Sequence, residues 1–520
     1  MNQTRIIYHI ARADFLERVR RYSFLVMLGA VVFLGYQAAI GNFTVQLGDY
    51  RGEFNSAWVG SMLALIASFM LGWFGFYLVK GSVARDRETG VGQIMATTPL
   101  TRPLYSLGKW LSNFAVLLAM VVVLAVVGVP IQYFAGESSQ FDLVAFLAPF
   151  VFVALPMLAL TAALAVWFEY IGFLKGGFGN IVYFFIFGFV ISFSIAMGKS
   201  NPMFDPIGFR VLSDSMGEAA KAAFPDYSGS FSLGSTGVAV IGTFPWSGVH
   251  WTFDLIMTRL TFLGIGIVMA FVSSIFFDRF DSSRRNLVRM TAQRAASLSK
   301  PTIVSPSHAL SQPVHLTPLT ARPKGFTIIR VLISELKLLL KGRRWWWYVI
   351  AGGLFIAGLI SPPENIRAYI LPITWLCPIL IWSGLGSREI RNNTRQMVFS
   401  SAAPLTRQLP AAWFAGFLVT ILTGGGAAMK LFSAADGTSL IVWLSAALFI
   451  PSLALTLGIW SNSSKLFEVT YISMWYLSMN GLDAVDFFGA NSNGNVGFFI
   501  PLSIALIVLA FIGRAKQIQN

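Results

Sequence analysis

Arg85-Asp86-Arg87-Glu88, then Gln93-Ile94-Met95, then Thr97-Thr98-Pro99-Leu100-Thr101-Arg102: this stretch is written twice in the chain. The second copy reads Arg388-Glu389, Gln396-Met397 and Ala402-Ala403-Pro404-Leu405-Thr406-Arg407. Arg85 and Gln93 map onto Arg388 and Gln396 at an offset of 303, and the Pro-Leu-Thr-Arg quartets at 305, so two residues were gained in between. Each copy follows a long apolar run (59–79; 370–385) and precedes another. Self-similarity placed alike in both halves means duplicated architecture. The chain reads as a tandem of two membrane units.

Composition leads to the same reading. At 55% hydrophobic and 12% charged residues, with a mean hydropathy of +0.67, the chain lies far from the roughly 25% charged content of soluble domains. Twelve runs recur, at about 24–40, 57–80, 109–135, 143–168, 177–198, 254–277, 345–361, 369–386, 410–432, 438–460, 467–482 and 497–513. Each is read as a helix crossing the roughly 30 Å of hydrocarbon. The runs at 345–361 and 467–482 are short and flanked by polar groups. The expected fold is an all-α integral membrane protein of about twelve transmembrane helices, in two tandem six-helix repeats. Residues 1–23 hold five arginines and two acids with no apolar core, so no cleaved signal peptide is expected. The one cysteine, Cys377, lies in an apolar run and reads as a small hydrophobe.

Charge sets the orientation. The segments expected on the side of the termini are mostly basic; the 278–330 connection holds nine Lys or Arg against Asp278 and Asp281. The opposite loops carry Glu137, Asp142, Asp205, Asp214, Glu218, Asp226, Asp436, Asp483 and Asp486. By the positive-inside rule both termini and both signature stretches are cytoplasmic. Basic segments against anionic lipid account for the net charge of +15 without nucleic acid. An amphipathic interfacial helix is expected before each half. Tyr8, Ala11, Phe15, Val19 and Tyr22 form the first stripe; Ile329, Leu332, Ile333, Leu336, Leu339 and Leu340 form the second. A Ser/Thr/Pro-rich stretch marks a linker. The expected domains are 1–284, a linker at 285–325, and 326–520.

Catalytic patterns are missing from the sequence. The four histidines (His9, His250, His308, His315) lack metal-ligand spacing, and no metal is expected. Gly198-Lys199-Ser200 has Phe193 where a phosphate-binding loop needs its first glycine. The predicted spans are almost free of the ionisable residues that ion-coupled carriers use, and Glu169 and Lys175 read as snorkelling at a helix end. The chain reads as a conduit powered from elsewhere, not an enzyme.

The order of interfacial helix, two spans, charged segment, Pro-Leu-Thr-Arg and four more spans resembles the permeases of type-2 ABC (ABC-2) exporters. That resemblance implies that the segment after the second span is a coupling helix docking on an ATPase. In the first half it would use Arg85, Asp86, Arg87, Glu88, Pro99, Leu100, Thr101 and Arg102. In the second it would use Arg388, Glu389, Arg391, Pro404, Leu405, Thr406 and Arg407, although Asn392-Asn393 departs from the pattern. The resemblance further implies two separate ATPase copies as partners, membrane lipid around the chain, and location in the bacterial inner (plasma) membrane. ATP and Mg would be bound by the ATPase, with no cofactor on this chain. The second and fifth spans would line the path of an amphipathic or hydrophobic substrate, with Phe69, Trp73, Phe187 and Trp475 as contacts. Two other readings compete. A major-facilitator-like carrier is suggested by Gly81 with Asp86-Arg87-Glu88-Thr89-Gly90, which fits only with extra residues. A polytopic membrane transferase would need a polar cluster at the membrane edge.

Overall fold

The computed structural model describes residues 3–42, 44–138, 140–234, 242–278, 327–343, 345–401, 403–490 and 495–519. The linker expected at 285–325 lies outside these residues. The chain divides into two compact units, Met1–Lys300 and Pro301–Asn520.

Unit 1 opens with α1 (Gln3–Val19), which meets α2 (Tyr22–Ala39) at 75°. Arg21 adopts extended angles and ends the first helix. Of the expected stripe, Tyr8 and Tyr22 are exposed, Phe15 and Val19 half-buried and Ala11 buried, and α1 also buries Asp14 and Arg18. Short strands β1 (Thr44–Gln46) and β2 (Tyr50–Gly52) precede the second span, α3 (Ser56–Trp73) with α4 (Gly75–Val79). Asn55 starts α3 by accepting the Trp58 N–H. A connector follows, holding α5 (Ser82–Glu88) and α6 (Val91–Ala96). The third span is α7 (Arg102–Ala135), with a proline in its first turn where no N–H is needed. The fourth joins α8 (Leu143–Pro149), a π-helical turn at Phe150–Ala154 and α9 (Leu155–Tyr170); the fifth is α10 (Gly177–Met197). Next come α11 (Phe209–Ala223), β3 (Ser232–Gly234) and β4 (Gly242–Phe244), then the sixth span, α12 (Phe253–Ser273). β1 pairs antiparallel with β3 and β2 parallel with β4, so two distant loops close into a collar at the end opposite the connector.

Unit 2 runs α13 (Thr327–Leu340), α14 (Trp345–Ile360), α15 (Pro363–Asn365), a π turn at Ile366–Ile370, α16 (Leu371–Leu376) and α17 (Ile379–Trp382). Its connector holds α18 (Arg388–Arg391) and α19 (Arg395–Phe399), and a π turn at Pro404–Gln408 leads into α20 (Leu409–Ser433). α21 (Gly437–Ser461), α22 (Lys465–Met479) and α23 (Val496–Gln519) complete it. Among the described residues nine helices are long and apolar enough to cross a membrane, ten with the bent α1–α2 pair. The two polar-flanked runs form α14 and α22, of 16 and 15 residues, which fall short of that length. The molecule is an all-α membrane protein.

The same helix pairs pack inside each unit. The sixth span packs on the fourth (α12 on α9; α23 on α21), the leading helix on the third (α1 on α7; α13 on α20), and the second touches the fifth (α3 with α10; α16 with α22). Apolar lipid gives no hydrophobic drive between helices, so small residues set these contacts. A Cβ on Gly266 would stand 2.9 Å from the Ala159 carbonyl oxygen, and where the first span of unit 2 meets the third, one on Gly426 would stand 1.8 Å from that of Phe355. Within the fourth span, Pro156 removes the N–H that the Phe152 carbonyl would bond. Arg259 Nε of α12 donates to that carbonyl instead, at 2.7 Å.

Candidate functional site

The connector of unit 1 is held by charge. Glu169, at the end of α9, accepts the N–H groups of Gly81 (2.8 Å), Ser82 (3.0 Å), Val83 (2.7 Å) and Ala84 (3.1 Å). These are the donors that the first turn of α5 leaves without helical partners, and a carboxylate there also meets the positive end of the helix dipole. Glu169 is a cap for the connector, not a snorkelling side chain. Before it, Lys80 Nζ donates to Asn180 Oδ1 at 2.7 Å and to the Leu174 carbonyl at 3.0 Å.

Beneath α5 lies a buried ion cluster. Lys109 of α7 is fully buried, with Nζ 2.7 Å from Asp86 Oδ2 and 2.6 Å from Asp14 Oδ2. The Tyr105 hydroxyl donates to Asp86 at 2.7 Å. Arg85 pairs with Asp14 at 3.5 Å and with Glu17, and Arg18 donates to Asn113 Oδ1 at 2.6 Å. Arg85 and Asp86 therefore join α5 to α1 and α7 of their own unit. Arg87 is half-buried and Glu88 exposed. Desolvation, and then the charge of Arg87, lowers the pKa of the nearby Lys175. α6 presents the exposed tip, with Gln93 exposed and Ile94 69% exposed. Pro99, Thr101 and Arg102 are exposed, while Leu100 and Met95 pack on a core cluster that includes Val83, Tyr105 and Ala162.

The connector of unit 2 is built differently. Arg388 pairs with Glu335 of α13. Buried Glu389 faces Arg514 of α23 at 3.4 Å, and Gln408 Nε2 donates to Glu389 (3.0 Å) and Glu335 (3.1 Å). α18 is four residues long and carries no side-chain cap. Its approach lies against α21, where a Cβ on Gly458 would stand 2.0 Å from the Leu385 carbonyl oxygen. Arg391, Thr406 and Arg407 are exposed, Pro404 and Leu405 half-buried, and Met397 on α19 is 74% exposed. Ile94 and Met397 share the 303-residue offset of the flanking glutamines.

The aromatic residues expected along a pathway are packed within their own units. Trp73 lies 5.5 Å from Phe187, which is buried, and Phe69 meets Phe209 edge-on at 6.3 Å. Trp475 Nε1 donates to the Pro372 carbonyl at 2.9 Å. Charge inside the spans is also greater than expected: Lys109, Arg259 and Arg514 are fully buried on candidate spans.

At the collar end the units agree closely. A 3₁₀ turn (Pro202–Phe204) leads to buried Asp205, which accepts the N–H of Gly208 at 3.0 Å. A 3₁₀ turn (Asp483–Val485) leads to buried Asp486, which accepts the N–H of Gly489 at 2.8 Å. Both glycines have positive φ, 80° and 75°, which favours glycine. Burial is the largest influence on Asp205 and raises its pKa, opposed by Arg259 and by backbone N–H groups. Arg51 pairs with Glu137 at 2.5 Å, and Arg367 with Asp436 at 2.7 Å. In each unit an acid after the third span thus meets an arginine near the start of the second.

Long apolar helices, with polar networks concentrated at their ends, define a multi-pass membrane protein. Residues 8–200, from α1 through α10, match the family model described as ABC-2 family transporter protein. That region, less than half of the chain, is similar to ABC-2 family transporter proteins. No curated protein and no solved structure matches the chain.

Proposed function

We propose that this chain is the permease of an ATP-driven exporter, both units serving as permease halves, that moves an amphipathic or hydrophobic substrate outward. Two copies of a separate ABC ATPase, which bind the ATP and Mg, dock on the two connectors. Both connectors and both termini face the cytoplasm, and the membrane is a bacterial inner membrane. The observation that carries this reading is the anchored connector of the family-matched region, where α5 is capped by Glu169 and tied to α7 through Lys109. An element fixed this way transmits a push to its spans. Docking falls to Glu88, Pro99, Thr101, Arg102, Arg391, Thr406 and Arg407 around the apolar tips Ile94 and Met397; Arg85, Asp86, Arg388 and Glu389 hold the connectors in place.

The test is co-purification with the candidate ATPase, comparing wild type with Ile94→Asp and Met397→Asp. Placing a charge in a desolvated contact weakens it by about 2–5 kcal/mol, so each variant should lose one ATPase copy. If both variants retain two copies, the connectors are not the docking surface. If the wild type binds none and transport follows an ion gradient, the carrier reading replaces this one.

A further inference from the structure

Where α13 meets α14, an open cavity of about 530 Å³ is lined by the cationic Lys337, Lys341 and Arg343 together with the apolar Ile333, Leu336 and Leu340. Helical spacing gathers these residues, since 333, 336, 337 and 340 share one face of α13 and Lys341 follows its last residue. Among the described residues neither lysine has an ion pair. The nearest acid on α13, Glu335, is already engaged by Arg388 and Gln408. Arg343 donates through Nη2 to the Leu380 carbonyl at 3.1 Å, and its enclosed Nε has no hydrogen-bond partner among the described residues. Burial lowers the Arg343 pKa, a desolvation cost that an adjacent anion offsets.

The cavity continues into apolar surface. Tyr348 closes its α14 side, and beside it Trp345, Val349, Ile356 and Ile360 recur at helical spacing. All four are exposed, Trp345 by 76% and Ile360 by 72%. We infer that this cavity binds the phosphate headgroup of an anionic phospholipid, whose acyl chains lie along that stripe of α14. A free phosphate would use the three cations but neither the apolar wall nor the stripe. A zwitterionic lipid would gain nothing from a cation cluster without an acid. The corresponding corner of unit 1 offers no such site, because Arg21 is paired with Glu17 at 2.5 Å and Arg18 is buried against Asn113.

The test is native mass spectrometry of the full chain in detergent, titrated with phosphatidylglycerol, with phosphatidylcholine, and with inorganic phosphate as competitor. The wild type should retain one phosphatidylglycerol in preference to phosphatidylcholine. Lys337→Ala/Lys341→Ala should weaken that retention about 25-fold, two cations each contributing about fivefold at an anionic lipid. Arg12→Ala/Arg20→Ala, removing two exposed cations on and just after α1, should leave it unchanged, and size-exclusion profiles identify any variant that fails to fold. Equal retention of both lipids overturns the assignment. So does an equal loss in the α1 variant, which means diffuse attraction, or full displacement by millimolar phosphate, which means a free-phosphate site.

Discussion

Unit 1 ties its connector to the fourth span with a carboxylate, and unit 2 ties its own with two missing side chains. Glu169 accepts four consecutive N–H groups ahead of and within α5. In unit 2, Gly458 and Gly386 let backbone rest on backbone: a Cβ on Gly458 would stand 2.0 Å from Leu385 O, and Gly386 has a φ of 76° against α21. The ion clusters differ as well. One enclosed ammonium, Lys109, serves both Asp14 and Asp86. In unit 2 the carboxylates of Glu335 and Glu389 are shared among Arg388, Arg514 and Gln408. An anchored connector thus needs a fixed attachment to the fourth span, and the chemistry of that attachment is free to drift. In unit 1 a single ammonium joins both carboxylates of the cluster, whereas in unit 2 no one cation touches both.

The largest expected effect tests that difference. Lys109→Met leaves buried Asp86 with the Tyr105 hydroxyl and Asp14 with Arg85 and Arg18 at 3.5 and 3.8 Å, and should cost about 3–5 kcal/mol of stability, read as a lowered thermal unfolding temperature in detergent. Arg388→Met leaves Gln408 on Glu335 and should cost only about 1–2 kcal/mol. Equal losses would erase the distinction between one charge and several. Next, Gly458→Ala forces a methyl into the Leu385 backbone, for about 1–3 kcal/mol. Glu169→Gln removes the charged cap, for about 1 kcal/mol, and hydrogen exchange should quicken at 81–88 while 384–391 stays unchanged. Exchange quickening at both connectors would mean that the two are not separately anchored.

The smallest effect concerns the end where the units agree. The hydrogen bond from Arg51 lowers the Glu137 pKa, and bonds from Ser439 lower that of Asp436. A carboxyl whose folded pKa lies below its unfolded value, about 4, stabilises the fold above that value and loses the contribution as pH falls through the folded one. Both side chains keep solvent contact, 40% and 27% exposed, so each contributes below about 1 kcal/mol. Glu137→Gln and Asp436→Asn should each lower stability slightly at pH 7, and the difference from the wild type should shrink as pH falls below the usual carboxylate range. A loss that does not shrink with falling pH would assign these residues to packing instead.

What was readable in the sequence divides along range of contact. Apolar runs are local, and each of the twelve falls on helix; the polar flanks of 345–361 and 467–482 already signalled the two short helices. The connector motif was legible because it recurs. Its partners were not: Asp14 reaches Lys109 across 95 residues and Glu169 reaches Val83 across 86, separations that no spacing rule covers. Arg85 and Asp86 accordingly read as outward-facing charge, although the acids and the lysine that turn them inward were all in view. The polar contacts of α1 were hidden for the same reason, since Asp14 and Arg18 are buried by meeting Lys109 and Asn113. Asp205 and Asp486 read only as loop acids, because their shared turn needs no more than an aspartate and a glycine three residues on.

A proline kink in a membrane helix is ordinarily a flexing joint. At Phe152 the joint is sutured, because the guanidinium that takes up the freed carbonyl also grips the Asp205 and Pro206 carbonyls. Bending there would strand a buried acceptor, at about 1–3 kcal/mol. The fourth span is thereby tied at Phe152, through Arg259 of the sixth span, to the 205–206 turn at the collar end.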